Sequence, residues 1–198
     1  MAIKARVAAA KDLPSVVETI TVSFMDDPVW SWIFPDPSTR ADVYRRWWPS
    51  FVRGALEHGW VRVTPGCEAV AVWLPPGAAE FTEADEQAFD QLVIECAGPR
   101  ADLVHEGIAL FEANRPSNKP HFYLSLFGTH SDHRGQGLGM ALLRENLELI
   151  DAEGLPAYLE STNSANLARY RSVGFEKVGE FAMPQGGPVI TTMWRAAR

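Results

Sequence analysis

The stretch from His121 to Gly154 constrains the fold most, because its apolar spacing switches from strand-like to helical across a glycine-rich loop. HFYLSLFGTH (121–130) is β-rich, and SDHRGQGLG (131–139) is polar and glycine-rich. MALLRENLELIDAEG (140–154) then places Leu143, Leu147 and Ile150 at i, i+4 and i+7, with Glu145 and Glu148 off that stripe and Gly154 as a C-terminal stop. The order is strand, loop, helix. Gly135, Gly137 and Gly139 admit left-handed turns and close backbone approach. A helix beginning near Met140 would aim its free N–H groups and positive dipole end at the same spot. Such a nest suits a pyrophosphate; a turn that merely joins strand to helix is the plain alternative. A Walker loop would end in Gly-Lys-Ser/Thr, where Gly137-Leu138-Gly139 stands, and a dinucleotide fingerprint would need its third glycine at Met140, so the letters fit neither.

Around this unit the spacing predicts a strand at 3–8 and a helix carrying Leu13, Val16, Val17, Ile20 and Phe24. Asp12 is available as that helix's cap, and it ends near Asp26-Asp27-Pro28. An aromatic, proline-rich loop is expected over 28–37, then a helix from Ser38 to His58 with Tyr44, Trp47, Trp48, Phe51, Val52 and Leu56 on its apolar face. Short strands follow near 60–64 and 68–74. Residues 82–114 read as helix broken around Gly98-Pro99, with an acidic polar face that is most simply a solvated surface. After the glycine unit come a strand at 156–161, a short helix around 165–173, and strands near 176–183 and 189–195.

At 198 residues, one domain spanning 1–198 is expected. A formal net charge of −7 argues against a general nucleic-acid-binding surface and suits a cationic amine partner. Cys67 and Cys96 match no metal or redox spacing, so they read as isolated thiols and no metal is expected. The first residues carry Lys4, Arg6 and Lys11 without an apolar run of signal-peptide length, and no stretch approaches a membrane span. The expectation is a soluble cytoplasmic protein without nucleic-acid or membrane partners, monomeric or homodimeric.

Two segments carry a family resemblance. Arg134-Gly135-Gln136-Gly137-Leu138-Gly139 resembles the Gln/Arg-x-x-Gly-x-Gly/Ala signature of the GNAT superfamily of acyl-CoA N-acyltransferases, and Asn166 through Tyr170 to Gly174-Phe175 resembles its Asn…Tyr-x-x-x-Gly-Phe segment. Phe24-Met25-Asp26-Asp27-Pro28, Ala71-Val72-Trp73, Phe127-Gly128-Thr129 and Pro188…Met193-Trp194-Arg195 are similar to the puromycin N-acetyltransferase-like branch. Ser131 stands where many relatives have Pro, and Thr129 where an aliphatic residue is usual; both bear on loop stiffness.

The resemblance implies an α/β (α+β) GNAT fold, with a mixed, largely antiparallel sheet of about seven strands flanked by helices and splayed between strands 4 and 5. It implies acetyl-CoA as cofactor, its pantetheine arm lying along Phe127, Gly128 and Thr129 like an added strand. Backbone groups of Gly135, Gln136, Gly137, Leu138, Gly139 and Met140 would hold the pyrophosphate, with Arg134 opening the loop. Asn166 is the candidate partner near the thioester, with Asn163 as its rival. Tyr170 is implied as donor to the departing thiolate; a residue of the core beside Leu167 and Val173 is the alternative. Glu160 is the candidate base, or else a solvent-facing strand residue. Asp26, Asp27 and Trp30 are candidates for the acceptor wall, or else a helix end with an apolar plug. His130 and His133 are assigned to loop structure or solvent. The implied activity is transfer of an acetyl group to a primary amine of a small molecule, with a peptide or protein acetyltransferase and a non-catalytic acyl-CoA-binding module as alternatives.

Overall fold

The computed structural model describes residues 4–198. Seven strands form one sheet in the order β1-β2-β3-β4-β5-β7-β6: Arg6–Val7, Val61–Val63, Ala69–Leu74, Phe122–Thr129, Ala157–Ser161, then Val189–Arg195 (β7) and Glu176–Ala182 (β6). Every neighbouring pair is antiparallel except β4 and β5. The mixed, mostly antiparallel sheet of seven strands flanked by helices is therefore as the resemblance implied.

β3 is buried at every position, and its alternation divides two cores. Val70, Val72 and Leu74 pack on one face with Tyr44, Trp47 and Trp48 of α3 (Arg40–Glu57) and with Val16, Val17 and Ile20 of α1 (Leu13–Phe24). Ala69, Ala71 and Trp73 pack on the other with Leu142, Leu143, Leu147 and Ile150 of α6 (Leu138–Ala152). Full burial of such side chains is worth roughly 1.5–3 kcal/mol each, so this apolar stripe, more than helix propensity, holds α6 in place. Trp73 also donates its indole N–H to Asn146 at 2.9 Å, giving a buried polar group its partner.

One irregularity shapes the rest. Val72 pairs with Leu126 but Trp73 pairs with Leu124, so Ser125 is an extra residue on β4. This is a β-bulge, and it exchanges the faces of β4: Leu124 joins the α6 core while Leu126 joins the α1–α3 core. The parallel pairing of β4 with β5 stops at the same place, covering only Phe122–Leu124 against Ala157–Leu159. Beyond it the two strands splay, and among the described residues the β5-side edge of β4 has no strand partner.

Several expectations need correction. Asp12 does not bond its carboxylate to the α1 backbone; it binds Arg6 at 2.6 and 3.0 Å and accepts from the Ala9 N–H, pinning β1 to the helix entry. The first strand is Arg6–Val7 only, and residue 3 of the expected strand lies outside the described residues. Within the expected loop of 28–37, Pro28–Ile33 forms helix α2, because Asp27 caps it and Pro28 occupies a first-turn position where no N–H is needed. The helical insert is α4 (Glu83–Ala97) and α5 (Ala101–Asn114), joined by a 3-10 turn at Gly98–Arg100. The helix after the glycine loop starts at Leu138, two residues before the expected Met140. α7 (Leu167–Arg171) follows a short turn at Ser164–Asn166.

Candidate active site

The splay opens a cleft of ≈ 610 Å³ that runs from the glycine loop, along β4, to the helical insert. At one end, Gly137 is the N-cap of α6 with φ +78, and Gly135 has the same φ. A Cβ at either would meet nothing within 4 Å, so these two glycines are required by backbone conformation and the space above them is open. Gly139 answers a different need: a Cβ there would lie 2.4 Å from Thr129 Oγ1, so its absence lets α6 sit directly against β4. The guanidinium of Arg134 donates to the Ser23 carbonyl at 2.9 Å and ties the loop to α1. First-turn N–H groups of a fifteen-residue helix, a left-handed pair of glycines and an unpaired strand edge thus converge on one wall.

Phe127, Gly128, Thr129, Arg134, Gly135, Gly137, Leu138, Gly139, Met140 and Asn166 all line the cleft. Gln136 is exposed and is not among the lining residues. Asn163 lines it as well; its Oδ1 accepts from the Ala165 N–H at 3.0 Å, whereas Asn166 Oδ1 accepts from Arg169 at 2.9 Å. Both amides are therefore partly engaged. His133 borders the cleft, and His130 Nδ1 accepts from the Asp132 N–H.

Tyr170 lines the cleft from α7, 9 % exposed, with its ring centroid 6.4 Å from Phe127 and 6.2 Å from Phe175. Burial pushes its phenol well above the usual value, with the Asp27 carboxylate adding to the effect. The side chain is thus held as a neutral O–H donor. Packing in the core and facing the cleft are both true of it.

Glu160 stands on β5 beyond the last residue paired to β4. It accepts from the Tyr123 hydroxyl at 2.7 Å on Oε2 and from the Tyr158 hydroxyl at 3.0 Å on Oε1. Burial pushes its carboxyl up to about 7, against the opposing influence of Arg115 and of the two hydroxyl donors. Such a group exchanges a proton near neutral pH without going far uphill in either direction.

The adjacent aspartates have separate environments. Asp27, 8 % exposed, accepts from the N–H groups of Val29 and Trp30 at 3.0 and 3.2 Å, and from the Thr162 hydroxyl at 2.6 Å. Its burial raises the carboxyl above the usual range despite these donors. Asp26 is exposed at the cleft rim. Trp30 lines the cleft with its ring edge-on to Trp48 at 4.8 Å.

The sequence reading missed the far end of the cleft. Glu80, Phe81, Ile108, Phe111 and Arg115 from the insert and its flanks line it with Phe51, Tyr123 and Ser125. Glu80 accepts from Ser125 at 2.7 Å and from Arg115 at 3.0 Å, and the Arg115 guanidinium lies 4.0 Å from the Tyr123 ring centroid. No motif carries these residues. The one local signal is Ser125, a small hydroxyl residue set between Leu124 and Leu126.

A model of the acetyltransferase (GNAT) family matches residues 21–175. The N-alpha-acetyltransferase RimI of Mycobacterium tuberculosis is 48% identical over 54 residues, 26% of this chain and 33% of that protein. The L-methionine sulfoximine/L-methionine sulfone acetyltransferase of Pseudomonas aeruginosa is 44% identical over 59 residues, 28% of this chain and 33% of that protein. The match therefore spans about a third of the length of these curated relatives. Among solved structures, a histone acetyltransferase HPA2 and related acetyltransferase from Corynebacterium glutamicum superposes with a TM-score of 0.70 at 23% identity, covering 100% of this chain and 98% of the other. At that identity the likeness is one of fold.

Proposed function

The chain belongs to the acetyltransferase (GNAT) family, and on that premise we propose that it transfers the acetyl group of acetyl-CoA directly to the primary amine of a small molecule. The observation that carries this reading is the continuity of one cleft, from the glycine loop past Tyr170 and Glu160 to a chamber walled by Phe51, Phe81 and Phe111. The cofactor fits the residues present: the unpaired edge of β4 beyond Leu124 matches an amide-bearing arm, and the open glycines at the α6 N-terminus match a pyrophosphate. Arg134, Gly135, Gly137, Leu138, Gly139 and Met140 would hold the phosphates, with Phe127, Gly128, Thr129 and Asn166 along the arm.

Bound acetyl-CoA supplies an acetyl group activated as a thioester. Glu160 takes the proton that the acceptor ammonium must lose before its nitrogen lone pair can attack, since alkylamines titrate near ~10. After attack the nitrogen gives up its second proton to the departing sulfur, so that the C–N bond forms as the C–S bond breaks and amide and free thiol result. Tyr170 donates a hydrogen bond as charge develops on sulfur. A complete transfer from a phenol whose pKa is raised would be uphill, so a strengthening hydrogen bond describes the step better. The backbone N–H groups freed by the splay of β4 are the available donors to the thioester carbonyl. Asp26 and Trp30 line the acceptor route, and the net charge of −7 favours a cationic acceptor.

The finer likeness to the puromycin N-acetyltransferase-like branch is part of this proposal; of its stretches, Phe24, Asp26, Asp27 and Phe127–Thr129 line the cleft. So are a single acetyltransferase domain over 1–198 and a cytoplasmic setting, the latter supported by two free thiols at Cys67 and Cys96. Among the described residues no helix is long and apolar enough to cross a membrane. The insert covering the acceptor end supports a small acceptor over a peptide chain. A screen of primary amines and short peptides with acetyl-CoA, reading released thiol, tests this. Turnover restricted to small amines is expected; turnover of peptide N-termini alone would overturn the acceptor class, and no turnover with any acceptor would overturn the enzymatic reading.

A further inference from the structure

The ends of the α4–α5 insert converge on the side chain assigned as base. Glu80 lies just before α4, and its carboxylate bridges Ser125 of β4 at 2.7 Å and Arg115, the residue after α5, at 3.0 Å. The Arg115 guanidinium lies 4.0 Å from the centroid of the Tyr123 ring, and the hydroxyl of that ring donates to Glu160 at 2.7 Å. A second connection leaves the same helix end: the Tyr158 hydroxyl is within reach of both the Asn114 carbonyl, at 3.2 Å, and Glu160, at 3.0 Å. Having one proton, that hydroxyl serves one acceptor at a time.

These contacts exceed what a cover over the acceptor chamber requires. A lid needs an apolar face, which Ile108 and Phe111 provide. A partly buried ion pair is a poor source of stability, since desolvation offsets much of its attraction. Its placement between Ser125 and Tyr123 instead brings one positive and one negative charge to bear on Glu160 from the insert, while the hydroxyls of Tyr123 on β4 and Tyr158 on β5 bond it directly.

We infer that Glu80 and Arg115 are positioning residues of opposite sign that set the proton affinity of Glu160, so that the insert tunes the acid–base centre as well as shaping the acceptor chamber. This rests on the reading of Glu160 as the base. Burial, the largest influence, raises the Glu160 carboxyl; Arg115, Tyr123 and Tyr158 oppose it, and Glu80 reinforces it. Removing Arg115 should therefore make Glu160 hold its proton to higher pH, and removing Glu80 should make it release the proton at lower pH. A purely structural pair behaves differently, because either deletion breaks the same contact and both changes run the same way.

The test is an infrared titration of the Glu160 carboxyl band in the protein without added acetyl-CoA, using Glu160→Gln as the blank, alongside the pH profile of kcat/KM. Arg115→Met is expected to move the titration up by about one pH unit, Glu80→Gln to move it down by a smaller amount, and Arg115→Lys to lie near wild type. The acid limb of kcat/KM should follow each shift. Shifts in one direction for both neutralising variants, or none, would overturn the inference while leaving Glu160 as base. An acid limb that survives in Glu160→Gln would instead overturn the base assignment itself. Should Arg115→Met not fold, the downward shift in Glu80→Gln decides alone, since Gln retains an acceptor for Ser125 and Arg115.

Discussion

Thr162 donates its hydroxyl to Asp27 at 2.6 Å, joining the turn between α1 and α2 to the segment that follows β5. The same carboxylate caps α2 through the N–H groups of Val29 and Trp30. Asp27→Ala should lower the unfolding free energy by about 1–3 kcal/mol, as loss of a cap and a buried hydrogen bond requires. Asp26→Asn, one residue away and exposed, should stay within about 0.5 kcal/mol of wild type and instead raise KM for cationic acceptors. Urea unfolding and steady-state kinetics on the pair measure both. Equal destabilisation would show that the two carboxylates are not divided as described.

Glu160 links the site to pH-dependent stability. Its carboxyl is raised from 4.5 to about 7 in the fold, chiefly by burial, so the folded protein binds this proton more tightly than the unfolded chain. The stabilisation is full below about pH 4.5 and is lost as pH rises to about 7; beyond that the ionised group costs up to about 3 kcal/mol. Glu160→Gln should therefore unfold at higher denaturant than wild type at pH 8.5, with a much smaller difference at pH 4.5. A gap of equal size at both pH values would count against a titrating carboxyl at this position.

Tyr170→Phe keeps the ring that packs against Phe127 and Phe175 and removes only the hydroxyl. Turnover is expected to fall about 10²–10⁴-fold with acetyl-CoA affinity within a few-fold of wild type. Single-turnover rates and cofactor titration separate the outcomes. A change below about threefold while chemistry limits the rate would make Tyr170 a packing residue, and a parallel loss of affinity would make its hydroxyl a pantetheine contact.

Gly137→Glu places a carboxylate in the open space at the N-terminus of α6, where, among the described residues, nothing beyond the immediate chain neighbours crowds an added Cβ. The left-handed backbone makes the substitution cost about 1 kcal/mol of stability, so the protein should still fold. Wild type should gain thermal stability with acetyl-CoA in proportion to the logarithm of its concentration, and the variant should gain none. Undiminished stabilisation of the variant would remove the phosphate site from this loop.

The amino-acid sequence by itself determined the helices and strands of the catalytic half and their order. Leu143, Leu147 and Ile150 declare one face of α6 whatever lies opposite, and the backbone freedom of Gly135 and Gly137 is a property of those residues alone. Those signals lie within a few residues of the structure they specify. The tertiary structure decided the rest. FYLSLFGT reads as one uninterrupted β-rich run, yet the bulge at Ser125 exists only because Val72 and Trp73 pair with Leu126 and Leu124, and that bulge exchanges the faces of β4 where its pairing to β5 ends. Asp26 and Asp27 are the same letter, separated in environment by a threonine 135 positions away from the second of them. Glu80 and Arg115 are 35 positions apart and stand on either side of the acidic 82–114 segment, and nothing in their neighbourhoods encodes Tyr123 and Glu160 beside them. Periodicity and backbone freedom are local and survive in the letters; charge environment, bulges and splayed edges arise from the choice of distant partners, which only the packed chain makes.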